Sequence, residues 1–236
     1  MSDPYPISSY SSDAGAGTIV IADRNRVLRN TYWLLALSLI PTVLGAWIGV
    51  ASGFTTVFLG SPWLSLLVFF GVAIPLMWGI QRNRDSSIGV LLLLGFTFFM
   101  GLMLARLLVP ILGLRNGASL ILTAFGGTAV IFAGMATLAT SIKRDLSGLG
   151  KFLMVGALIV VIGSIASVFL QIPALTLTIL VLCLGIFSAL ILYDINRVVR
   201  GGETNYVSAT LAIYLDAFNV FQSLLALLGI FGGERD

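Results

Sequence analysis

Apolar residues run in long blocks broken by short polar clusters, and the block lengths set the architecture. Residues 30–81 and 152–193 contain no charged side chain. A helix needs about 20 apolar residues to cross a bilayer. Each block therefore holds two spans and a tight turn, at Gly60-Ser61-Pro62 and at Gln171-Ile172-Pro173. Residues 86–105, 116–142 and 204–233, the last broken only by Asp216, hold one span each. The pattern predicts an all-α, polytopic membrane protein with seven transmembrane helices, near 31–51, 63–81, 87–112, 117–140, 152–171, 173–197 and 205–231. Helices are required because backbone in lipid must satisfy its own hydrogen bonds. The short alternating segments of a β-barrel do not occur.

Composition sharpens the picture. Of 236 residues, 58% are hydrophobic and 10% charged, against about 25% charged in soluble domains. There is no histidine and one cysteine, Cys183, which excludes His-dependent nucleophilic sites, His-ligated zinc or haem, an internal disulfide and a CxxC redox pair. The chain does not read as an enzyme, and no resident cofactor is expected. Gly126-Gly127-Thr128 and Gly201-Gly202 lack the spacing of phosphate loops. The first reads as a close helix contact. The second reads as a helix C-cap, with Thr204 as the next N-cap.

Charge gives orientation. Arg24, Arg26, Arg29, Arg82, Arg84, Lys143, Arg144, Lys151, Arg197 and Arg200 fall on one side, out of thirteen Lys and Arg. Arg115 and Arg235 fall on the other, and Arg106 lies within the third span, snorkelling outward. By the positive-inside rule the N-terminus is inside and the C-terminus outside. The basic balance thus reports topology, and nucleic acid is not an expected partner. Residues 1–23, rich in Ser, Gly, Asp and Tyr without Lys or Arg, read as a disordered cytoplasmic tail ahead of a seven-helix domain over 24–236. They lack the regions of a cleaved signal peptide, so the first helix reads as an uncleaved anchor. No internal repeat suggests an inverted-repeat transporter.

Ionisable residues inside spans are the functional candidates, because burying them is costly. On a helical wheel Ala209, Ala212, Asp216, Asn219 and Ser223 share one side of the seventh helix, a small polar stripe facing close neighbours. Leu211, Tyr214, Phe218, Phe221 and Leu225 form the greasy opposite side. The plain reading is interhelical hydrogen bonding by Asn219 and Ser223. An ionised Asp216 at that depth needs a partner or water, which favours function. Asp194, near the inner end of the sixth helix, is as far along the chain from Asn205 as Asp216 is. If the two helices pack antiparallel, the carboxylates approach, but a sixth helix running to Arg200 and a seventh starting at Thr204 set their depths six residues, about 9 Å, apart. Like charges in low dielectric cannot both ionise cheaply, so such a pair shares a proton and can switch a packing arrangement. The alternative for Asp194 is snorkelling, paired with Arg197 one turn on. Two aspartates can also offer a weak, transient calcium site. Arg82, or Arg84 beyond it, lies on the same side and can latch onto the pair, although a positive-inside anchor is the commoner role. Asp145 reads as a loop charge.

The runs Val27-Leu28-Arg29-Asn30-Thr31-Tyr32, Lys143-Arg144-Asp145-Leu146-Ser147, Phe169-Leu170-Gln171-Ile172-Pro173-Ala174-Leu175 and Gly201-Gly202-Glu203-Thr204-Asn205-Tyr206, with Tyr214-Leu215-Asp216, Asn219 and Phe221, resemble the bacterial YccA-like branch of the Bax inhibitor-1 family over about residues 24–233. The resemblance implies a Bax inhibitor-1-like fold in a bacterial inner membrane. It also implies two activities. The first is binding and modulation of the membrane-bound ATP-dependent protease FtsH. The second is a pH-sensitive calcium or cation leak gated by an aspartate pair, here Asp194 and Asp216, with a helix-two arginine, here Arg82. An intramembrane aspartyl protease is poorly supported, since Asp194 lies too near the interface.

Overall fold

The computed structural model describes residues 11–53, 61–142, 144 and 146–233, with side chains from residue 24 onward except those of 62 and 147. Among these residues all regular structure is helical: α1 (Ser11–Ala51), α2 (Pro62–Arg82), α3 (Ser87–Leu112), α4 (Gly117–Ser141), α5 (Ser147–Leu170), α6 (Pro173–Val199) and α7 (Tyr206–Gly232). All seven are long and apolar enough to cross a membrane, α1 over Arg24–Ala51. Helix α1 starts well before the expected residue 31, because nothing between 11 and 31 forces a break and the arginines there are compatible with a helix. Residues 1–10 of the expected tail, and Lys143, Asp145 and Arg235, lie outside the described residues.

The bundle is built around α7. Its Leu211, Tyr214, Phe218 and Leu225 join a core with Leu34 of α1, Ala73 and Ile80 of α2, and Phe96 and Met100 of α3. Its Ile213 and Val220 join a second core with Ala139 of α4, Leu153 and Val160 of α5, and Ile191 and Ile195 of α6. The greasy side of α7 is therefore protein core at Leu211, Tyr214, Phe218 and Leu225, with Phe221 partly buried against it.

Helices α1 and α3 make the most extensive contact. A Cβ on Gly45 would strike the Phe98 carbonyl, and one on Gly101 would strike the Thr42 carbonyl. Glycine is required there because the two backbones touch, which is how helices gain contact where lipid is as apolar as side chains. Large apolar side chains such as Leu67, Leu91, Leu122, Phe152 and Val181 are exposed around the outside, as lipid-facing residues must be. All four tryptophans, Trp33, Trp47, Trp63 and Trp78, are exposed as well. Each lies toward one end of a span, where an amphipathic ring sits at headgroup level.

Candidate functional site

Helices α6 and α7 pack along each other, and the hairpin between them sits at the end of the bundle that carries Arg82, Arg197 and Arg200. Helix α6 ends in a left-handed glycine, Gly201 at φ 76°. The Gly202 amide donates to the Arg197 carbonyl at 2.8 Å and the Gly201 amide to the Val198 carbonyl at 3.0 Å, a Schellman close of the last turn. The N-cap of α7 is Asn205, one residue beyond the expected Thr204. Its Oδ1 accepts from the Val207 and Ser208 amides at 2.9 and 3.0 Å. Glu203 accepts from the Asn205 amide at 3.0 Å and pairs with Arg197 at 3.5 Å.

This hairpin brings the two aspartates together. Asp216 is 5% exposed on α7, and Asp194 on α6 is half-buried. Their side chains lie within hydrogen-bonding reach of each other. Two ionised carboxylates are acceptors only, and Oδ2 of Asp216 has no donor. The contact becomes a hydrogen bond only when the pair holds one proton. Beside Asp194 opens a recess of about 20 Å³, lined by Asp194, Arg197, Glu203, Ser208, Ala209 and Ala212. That is room for one water-sized occupant. Among the described residues no three potential ligands from His, Cys, Asp and Glu converge in a way that could hold a metal ion.

The arginine expected at the pair is placed elsewhere. Arg82 is exposed, and its guanidinium stands 5.2 Å from the centre of the Trp78 ring, a cation–π contact. Arg84 pairs with its neighbour Asp85 at 3.9 Å. The guanidinium beside the recess is that of Arg197, which is turned to Glu203. What α2 does contribute is Gln81, whose Oε1 accepts from the Ser208 hydroxyl at 3.0 Å. Nothing in the sequence links positions so far apart.

The stripe on α7 spends its hydrogen bonds mainly within its own helix. Asn219 Nδ2 donates to the Leu215 carbonyl and the Ser223 hydroxyl to the Asn219 carbonyl, both at 2.8 Å. Ser223 also lies within hydrogen-bonding reach of Cys183. A second polar point sits on the other flank. The Tyr214 hydroxyl is 2.8 Å from Thr42 Oγ1 and 3.5 Å from the Thr97 carbonyl, tying α7 to α1 and α3. Arg106 is exposed on α3.

Comparison with known proteins shows what the chain as a whole is similar to. The chain is 37% identical over 207 residues to the modulator of FtsH protease YccA of Escherichia coli K12, covering 87% of this chain and 90% of that protein. It is 37% identical over 212 residues to an uncharacterized protein of Neisseria meningitidis, covering 89% and 93%. It is 34% identical over 208 residues to an uncharacterized membrane protein of Vibrio cholerae, covering 88% and 91%. In a second Escherichia coli strain YccA is named an inner membrane protein, and with seven spans of its own this chain is a multi-pass protein of that membrane. The family described as "Inhibitor of apoptosis-promoting Bax1" matches residues 24–233, so the chain belongs to that family.

Proposed function

We propose that this chain binds the membrane-bound ATP-dependent protease FtsH and modulates its proteolysis, acting as a regulator and not as an enzyme. One observation carries the reading: 37% identity across nearly the whole length of a protein named modulator of FtsH protease. The basic end faces the cytoplasm in this reading, so the N-terminal residues are on the side where an ATP-driven protease takes hold of a chain end. Seven packed helices then resist extraction. Deleting residues 2–20 is expected to weaken the effect on degradation of a membrane substrate while leaving the bundle folded. Unchanged degradation rates with the deleted chain would contradict the role of that segment.

A second reading has its own observation, the meeting of Asp194 and Asp216 beside a recess. A proton-sharing pair at the basic end can gate a cation leak, with Arg197 the nearby guanidinium in place of Arg82. Calcium flux in proteoliposomes as pH is varied tests it. Asp216→Asn, which removes one titrating carboxylate, is expected to abolish the pH dependence. The absence of flux in both proteins would leave the pair as packing chemistry.

A further inference from the structure

The two aspartates should not be level if the helix ends were level. Asp194 lies five residues before the last residue of α6, and Asp216 lies ten residues after the first residue of α7. At 1.5 Å per residue those depths are about 7.5 and 15 Å from the respective helix ends. Side-chain tilt closes part of the gap. Helical side chains lean toward the N-terminus, so Asp194 leans away from the basic end and Asp216 toward it. A start of α7 farther out than the end of α6 closes the remainder.

One residue holds that outlying start. Asn205 uses its Oδ1 to cap α7. It uses its Nδ2 to donate to Asp85 Oδ1 at 2.7 Å and to the Arg84 carbonyl at 3.1 Å, both in the loop between α2 and α3. The Gln81–Ser208 bond ties the first turn of α7 to the end of α2 as well. On the α6 side the hairpin is held separately, through Arg197 to Glu203 and to the Gly202 carbonyl. The hairpin is thus held at two places, and one of them belongs to a different part of the chain.

We infer that Asn205 is a positioning residue for the aspartate pair: by fastening the start of α7 to the α2–α3 loop, it sets the register that brings Asp216 level with Asp194. The exposed α2–α3 loop is then tied to the register of a buried pair. The inference goes beyond the protease reading and rests only on the geometry of the pair, so it stands or falls whether or not FtsH binds.

The test is oxidative cross-linking of Asp194→Cys with Asp216→Cys in a Cys183→Ser background, in the full chain in membranes. Asn205→Asp keeps the capping oxygen, since Asp and Asn cap equally well, but loses the Nδ2 donor and faces the Asp85 carboxylate. It is expected to slow cross-linking by at least about tenfold, toward the roughly hundredfold that an ångström of misplacement can cost an oriented reaction. Adding Asp85→Asn returns a donor to the pair from the other side and is expected to restore the rate. An unchanged rate in Asn205→Asp would overturn the inference, and so would a slowed rate that Asp85→Asn does not restore. If Asn205→Asp fails to fold, Asn205→Ser decides: serine caps about as well but has no Nδ2 to reach either acceptor in the loop, and in that variant a slowed rate supports the inference and an unchanged one overturns it.

Discussion

At the scale of single residues, the buried polar groups of α7 divide into those whose partners are complete and one that lacks a donor. Tyr214 is complete, with its hydroxyl against Thr42 and Thr97. Thr42 keeps a second bond to the Ser38 carbonyl at 2.8 Å, so Tyr214→Phe strands no donor. Its expected cost is about 0.5–1.5 kcal/mol, the net worth of one hydrogen bond, read as a modest fall in thermal stability. Loss of the fold would show that the hydroxyl does more. Asp216 is the incomplete group, because Oδ2 has no donor while both carboxylates are charged. The pairing with Asp194 was legible from equal spacing about Asn205. Which arginine stands beside the pair is not legible, because membrane side and sequence order say nothing of side-chain direction. Arg82 points to its own Trp78, and only the hairpin's fold turns Arg197 toward Glu203.

At the scale of helices, the spans were legible because charge is excluded from lipid. The faces of those spans were not. A wheel sorts apolar from polar positions, but protein core and lipid are both apolar, so the side of α7 bearing Tyr214 and Phe218 reads the same in either setting. Helix ends were missed where chemistry is permissive, as with the early start of α1 and the choice of Asn205 over Thr204. Glycines show the same limit, since those in tight contacts and those in open space look alike in the sequence. A Cβ on Gly101 would strike the Thr42 carbonyl of α1, whereas one on Gly126 of α4 meets nothing within 4 Å. Gly101→Ala is therefore expected to destabilise by about 1–3 kcal/mol, as overpacking does, and Gly126→Ala to be neutral or mildly stabilising. Equal melting temperatures for the two variants would contradict the close contact of α1 and α3.

At the scale of the whole molecule, α7 couples two half-bundles. One is formed with α1, α2 and α3 together with Leu120 and Ala124 of α4, the other with the rest of α4, α5 and α6, and the aspartate pair lies where α6 meets α7. A shift of α7 therefore moves both cores and the pair together, which suits a protein whose state a partner reads. Near-complete coverage of a relative named for its effect on FtsH makes that protease the partner to test first. The most direct measurement reconstitutes FtsH with the full chain in one bilayer and follows both co-purification and the degradation rate of a membrane substrate. The account expects FtsH to co-purify with the chain and its degradation rate to change in proportion to the amount of chain added. A protease that neither co-purifies nor changes its rate at any ratio would contradict it.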